Sequence, residues 1–177
     1  MLHTLYIVRH AHPRQNTGID YHRVPGPPLD ERGREEATRA AHFLQPLGVQ
    51  ALVCSPLDRT RQTAAAVADA IGIAPVVEDR LAEHRPDETF DGVRARCGAW
   101  LADAQRSPHA VVAAVTHGSP VRALLGLLSD GKIDLTAHNY AGGNPSPTAG
   151  IWRAVRAAAG WELTFVFDPQ AAAALRS

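Results

Sequence analysis

The stretch LYIVRHAH, residues 5–12, decides how the rest of the chain is read. Leu5, Tyr6, Ile7 and Val8 form a short apolar, partly β-branched run that stops on Arg9 and His10. Such a run predicts a buried central strand that delivers two polar side chains where it leaves the sheet. A loop rich in Pro, Gly and Asn follows over residues 12–29. Asp30 then stands as the N-cap of a helix whose small and apolar positions Ala37, Ala40, Ala41 and Leu44 recur at helical spacing. Its residues Arg32, Arg34, Glu35, Glu36 and Arg39 read as a solvated face, with Glu35 and Arg39 as a favourable pair.

Further out the same alternation continues. Residues 51–54 read as a second buried strand, ended by Ser55-Pro56, and 57–71 as an alanine-rich helix. Residues 74–77 read as a third strand. Phe90, Val93, Cys97, Trp100 and Leu101 give the apolar stripe of another helix. An unbroken apolar strand over 110–115 ends at Thr116-His117-Gly118 and leads into a helical pattern over 121–128. Two more strands, 151–155 and 163–167, join at a turn near Gly160, and the run Ala171 to Ala174 suits a helix end or a frayed terminus. Strand and helix in alternation predict an α/β layered protein around a largely parallel sheet. With 177 residues and neither repeat nor linker, one domain over residues 1–177 is expected.

Composition narrows the partners. Eighteen Lys and Arg balance eighteen Asp and Glu, so no overall field draws the chain to nucleic acid or to an anionic membrane. Any attraction for anions must be local. Cys54 and Cys97 lie in apolar stretches without metal-type spacing, as buried thiols of a reducing compartment would. The opening MLHTLYIVRH has no basic leader pattern and no apolar run approaches membrane-spanning length, so a cytoplasmic location is expected. Composition leaves the oligomeric state open.

Binding crevices of open α/β sheets lie at the carboxyl ends of the strands. Three clusters fall at such ends: Arg9-His10, Ser55 with Arg59 and Thr63 one and two helical turns on, and His117-Gly118. Strands that all end in cationic or imidazole groups converge on an anion site. Phosphate suits it, because guanidinium forks make bidentate bonds to its oxygens. Helix starts after Ser55 and Gly118 would add backbone N–H groups. Histidine adds a nucleophile or a proton carrier, so the site suits phosphoryl transfer as well as binding.

These residues carry a family resemblance. LYIVRHAH with Asn16 and PPLDERGREEA resembles the opening of the histidine phosphatase, or phosphoglycerate mutase-like, superfamily, whose common form is R-H-G-E-T-x-x-N followed by P-L-T-x-x-G. CSPLDRTRQTAAAVA is similar to its S-S-x-L-x-R-A-x-x-T-A, RLAEH to its L-x-E, and AVTHGSPVRALL to its V-x-H-G-x-x-I-R. The four blocks occur in family order between Leu5 and about Leu128. The resemblance implies a three-layer α/β/α sandwich around a mostly parallel mixed sheet. It also implies a metal-independent phosphatase that needs no cofactor and acts on a small phosphorylated metabolite. His10 would be the nucleophile; Arg9, Arg59 and His117 would hold the phosphoryl group. Glu83 would protonate the leaving oxygen and then activate water, and Asn16 would stand at the pocket wall.

Elementary electrostatics fits these roles. Arg9 beside His10 favours the neutral, nucleophilic imidazole. A cationic pocket favours ionised Glu83, so the substrate dianion and burial must restore its proton, which predicts an acidic to neutral optimum. Asp79, Asp87, Glu88 and Asp91 lie close enough in sequence to replace Glu83 as the acid. Ala11, His12 and Pro13 stand where the family pattern has Gly, Glu and Thr, and His22-Arg23 where it often has Gln-Gly. The leaving-group pocket should therefore be unusual, with His22 at its rim. Three alternatives stay open: a zinc site of His10, His12 and His117; a phosphoglycerate mutase-type phosphotransferase; and a non-catalytic phosphate-binding module. The short stretch between Glu83 and the helix near Thr89 argues against the mutase, whose long insertions there enclose the substrate.

Overall fold

The structure is a computed structural model that describes residues 1–174; the last three residues of the expected domain lie outside the described residues. Six strands form one sheet: β1 (Thr4–Arg9), β2 (Ala51–Cys54), β3 (Val76–Val77), β4 (Val111–Thr116), β5 (Ile151–Ala157) and β6 (Gly160–Phe167), in the spatial order β3-β2-β4-β1-β5-β6. β3, β2, β4 and β1 run parallel, whereas β5 is antiparallel to both of its neighbours. The sheet is therefore mixed and mostly parallel, as expected.

Helices α1 (Glu31–Leu44), α2 (Asp58–Ile71), α3 (Phe90–Arg106), α4 (Gly118–Leu128) and the short α5 (Pro169–Ala174) complete the fold. Because successive strand residues point to opposite faces, β1 sends Leu5 and Ile7 into one core and Tyr6 and Val8 into the other. The first core includes Val93, Cys97, Trp100 and Leu101 of α3 with Val121, Leu124 and Leu125 of α4. The second includes Ala37, Ala40, Ala41 and Leu44 of α1 with Ala64 and Val67 of α2. Helices on both faces of one sheet make the three layers. Cys54 and Cys97 are free buried thiols, pushed by burial up to about 11 and about 12 respectively.

Three expectations need correction. The third strand is two residues long and exposed, with Val76 at 64% and Val77 at 49%. It pairs only with β2 at the sheet edge, and Pro75 before it has no N–H to extend the ladder. Phe90 begins α3 with 37% of its surface exposed and is not one of the helix's buried residues. Glu36 is buried at 1%, where it accepts hydrogen bonds from the His12 N–H (3.0 Å) and from Arg32 Nε (2.8 Å). It is a strut under the turn after β1, not part of a solvated face.

Candidate active site

Three adjacent parallel strands, β2, β4 and β1, end side by side, and neighbouring strands lie about 4.8 Å apart. Their last residues therefore deliver side chains into one small volume. Backbone bonds fix the exits: His10 N–H donates to Thr116 O (2.8 Å) and Ser55 N–H to Val115 O (3.0 Å). Asp30 and Thr89 cap α1 and α3 with side-chain bonds, but α2 and α4 begin without one. α2 places Arg59 in its first turn, and His117 and Gly118 open α4.

His10, Arg59 and His117 are fully buried, and the His10 and His117 rings lie 5.1 Å apart. His10 Nδ1 is 2.8 Å from Ala11 O. A carbonyl only accepts, so this nitrogen carries the proton and Nε2 presents its lone pair. Burial first, then Arg59 and Arg9, hold the His10 pKa well below its ordinary value. The imidazole is thus neutral, as a nucleophile requires. His117 is depressed in the same way by burial, then by Arg59, His10 and Arg9, and its Nε2 meets Ser55 Oγ at 2.6 Å.

Around His10 the buried side-chain nitrogens outnumber their partners. Arg59 Nε, Nη1 and Nη2, Arg9 Nε and His117 Nδ1 are buried without a hydrogen-bond partner among the described residues. Among the described residues Arg9 is anchored only through Nη1, which donates to Ser146 O at 2.7 Å. Burial lowers both guanidinium pKa values, opposed by Tyr21 and Glu83 at each. Unpartnered buried cations are costly. A polyanion with several acceptor oxygens relieves that cost, and a tetrahedral oxyanion has the shape to reach donors on three sides.

Glu83 is buried at 8%, with Oε1 accepting from His84 N–H at 2.8 Å. Of the five acidic candidates it alone is buried: Asp79, Asp87 and Asp91 are exposed and Glu88 is held by Arg96. Arg96 staples the whole segment, donating to Arg80 O (2.7 Å) and Glu83 O (3.2 Å) while its Nε and Nη2 grip Glu88. In the sequence Arg96 is one arginine on a helix face, which carries no signal of what it reaches.

The other expected residues scatter. Asn16 is exposed in a left-handed turn (φ 54°) and away from the cavity wall, which its neighbour Gln15 lines instead. His22 is also exposed and pairs through Nδ1 with His84 O at 2.7 Å, pinning its loop to the segment after Glu83. Gly118 is buried beneath Asn144, whose Oδ1 would lie 1.6 Å from an added Cβ. His12 is turned to Asp30 (Nδ1 to Oδ2, 2.7 Å), away from a shared site with His10 and His117. Among the described residues no three His, Cys, Asp or Glu side chains gather as metal ligands. Tyr21, by contrast, reaches the centre: its ring lies 4.0 Å from the Arg59 guanidinium carbon and its hydroxyl 3.4 Å from His10 Nε2. A cavity of about 470 Å³ lies on the other side of Arg9 and Tyr21, lined also by His12, Pro13, Arg32 and Tyr140. A more apolar groove of about 410 Å³ along β2 and β3 lies away from these groups.

Fold and site together define a three-layer α/β/α protein with a buried histidine and a cluster of buried arginines at the carboxyl ends of its central strands. The chain matches the histidine phosphatase superfamily (branch 1) over residues 5–87, a little under half of its length. It is 33% identical over 79 residues to the "Probable phosphoglycerate mutase GpmB" of Enterobacter sp. (strain 638), covering 45% of this chain and 37% of that protein. Phosphoserine phosphatase 1 of Hydrogenobacter thermophilus is 35% identical over 79 residues, with the same coverages of 45% and 37%. The chain thus matches less than half the length of these relatives. Among solved structures, a mycobacterial glucosyl-3-phosphoglycerate phosphatase in complex with VO3 superposes with a TM-score of 0.75 at 22% identity, covering 94% of this chain and 99% of that one. Bacillus stearothermophilus YhfR gives 0.73 at 21%, covering 92% and 95%. These likenesses establish the fold.

Proposed function

We propose that the chain is a metal-independent phosphomonoesterase of the histidine phosphatase type, acting as a single domain on a small phosphorylated metabolite of the cytoplasm. The observation that carries this reading is the set of buried, unpartnered donors of Arg9, Arg59 and His117 around the bare Nε2 of His10. His10 Nε2 attacks phosphorus and the bond to the leaving oxygen breaks. Arg9, Arg59 and His117 hold the three remaining oxygens, whose charge the transition state spreads. Glu83 gives its proton to the leaving alkoxide, then takes one from the water that hydrolyses the phosphohistidine. Phosphate and the alcohol leave, and no cofactor enters the balance.

Hydrolysis is preferred to mutase chemistry because only residues 84–89 separate Glu83 from α3, leaving no long segment there to enclose an intermediate against water. The phosphatase names among the relative and the structural neighbour support the same class. The test is turnover of p-nitrophenyl phosphate in EDTA by the wild type and by His10→Ala. Turnover by the wild type, lost in the variant, is expected. Background rates for both contradict the enzyme and favour a phosphate-binding module, and activity that EDTA abolishes contradicts metal independence.

A further inference from the structure

The Tyr21 hydroxyl, which the reaction above leaves unused, lies 3.4 Å from the attacking nitrogen. Because His10 Nδ1 donates to Ala11 O, Nε2 can only accept, and the phenolic O–H of Tyr21 is the donor across their 3.4 Å separation. That separation is longer than an ordinary hydrogen bond, so little is lost when the hydroxyl turns to a better acceptor. A phosphoryl group docking on Nε2 brings such acceptors to that place, since its oxygens lie one bond from the atom under attack. The other side-chain donors facing His10, from Arg9, Arg59 and His117, are guanidinium and imidazole nitrogens, and Pro13 at the cavity wall offers neither hydroxyl nor N–H.

We infer that Tyr21 is a further catalytic residue, its hydroxyl donating to an oxygen of the transferred phosphoryl group while its ring holds the Arg59 guanidinium in position. This inference rests on the reading of His10 as the nucleophile. The ring face lies 4.0 Å from the guanidinium carbon, and with Nε, Nη1 and Nη2 unpartnered, that contact helps fix where the fork points. Tyr21 is itself held from both sides. His22, next in sequence, ties to His84 O at 2.7 Å and its N–H to Asp20 Oδ1 at 2.8 Å, while Pro25 O accepts from Asp58 N–H at 2.7 Å. Gly26 (φ 69°) lets the loop close onto Arg59, for a Cβ there would come within 2.9 Å of Nη1. Burial raises the Tyr21 pKa, so the phenol remains a neutral donor across the working range.

Tyr21→Phe keeps the ring and removes the O–H. It should lower kcat/KM for p-nitrophenyl phosphate roughly 10- to 100-fold, as loss of a hydrogen bond to a charged group does. Vanadate affinity should weaken as well, with an unchanged melting temperature. Tyr21→Leu, which also frees Arg59, should lose more. A Tyr21→Phe enzyme within twofold of wild type in turnover and vanadate affinity overturns the inference and leaves the phosphatase reading intact. A faster variant overturns it too, making the tyrosine a plug. Should the wild type bind inorganic phosphate without turnover, weaker phosphate binding by Tyr21→Phe still supports the contact, and equal binding overturns it. A wild type that neither hydrolyses the ester nor binds phosphate overturns both readings.

Discussion

Glu36 and Glu83 are both buried carboxylates in an arginine-rich chain, and their partners separate their uses. Glu36 spends both oxygens on His12 N–H and Arg32 Nε, so it braces the backbone beside the nucleophile. Glu83 accepts one backbone N–H and lies within electrostatic reach of Arg9, Arg59 and Tyr21. Glu83→Gln should therefore cut kcat for an alkyl phosphate by about 10²- to 10⁴-fold and cost much less with p-nitrophenyl phosphate, whose leaving group needs no proton. Equal rates of wild type and variant on the alkyl ester would contradict the assignment. At this scale the sequence was informative where a polar residue ended an apolar run, as at Arg9, His10 and His117. The Pro- and Gly-rich stretch 13–28 marks Tyr21 as a rim residue but not as a neighbour of His10, and nothing marks Arg96; both roles depend on where a loop and a long side chain come to rest.

α1 touches the cavity only through Arg32, yet it supports the site from behind. Its third residue, Gly33, packs against the backbone of His12, and an added Cβ would sit 2.0 Å from His12 O. Neither backbone can yield cheaply, so Gly33→Ala should cost about 1–3 kcal/mol by overpacking and shift the turn that carries His10. Urea unfolding together with ester turnover measures both losses, and a variant with native stability and activity would contradict the packing account. The glycine was visible in the sequence as part of P-P-L-D-E-R-G, but its reason was not, because the contact joins a helix to a loop. Most elements were legible from period and from the Asp30 cap. β3 was overestimated because an apolar run carries no mark of lying at a sheet edge.

For the molecule as a whole, the buried imidazoles link folding to pH. His10 and His117 have folded pKa values well below the ordinary histidine value of about 6.5. Above that value both are neutral in the folded and unfolded chain, and stability is independent of them. Below it the unfolded chain takes up protons that the folded chain refuses, so stability falls by about 1.4 kcal/mol per pH unit for each histidine. Asp30, Glu78 and Glu88, whose pKa values are lowered, add their own loss only at more acid pH. Between about pH 6.5 and 5 the wild type should lose stability more steeply than His10→Gln, by urea denaturation. Parallel curves would show that His10 is not held neutral. Balanced total charge, read from composition, concealed this local excess of cations, which appears only when three strand ends are brought side by side.

All of this converges on one atom, His10 Nε2. Rapid alkaline quenching during turnover of a radiolabelled phosphate monoester, followed by peptide mapping, reads that atom directly. The account predicts an alkali-stable, acid-labile label on His10 that disappears in His10→Ala. A label on another residue, or steady turnover with no label on His10 at any quench time, would contradict it.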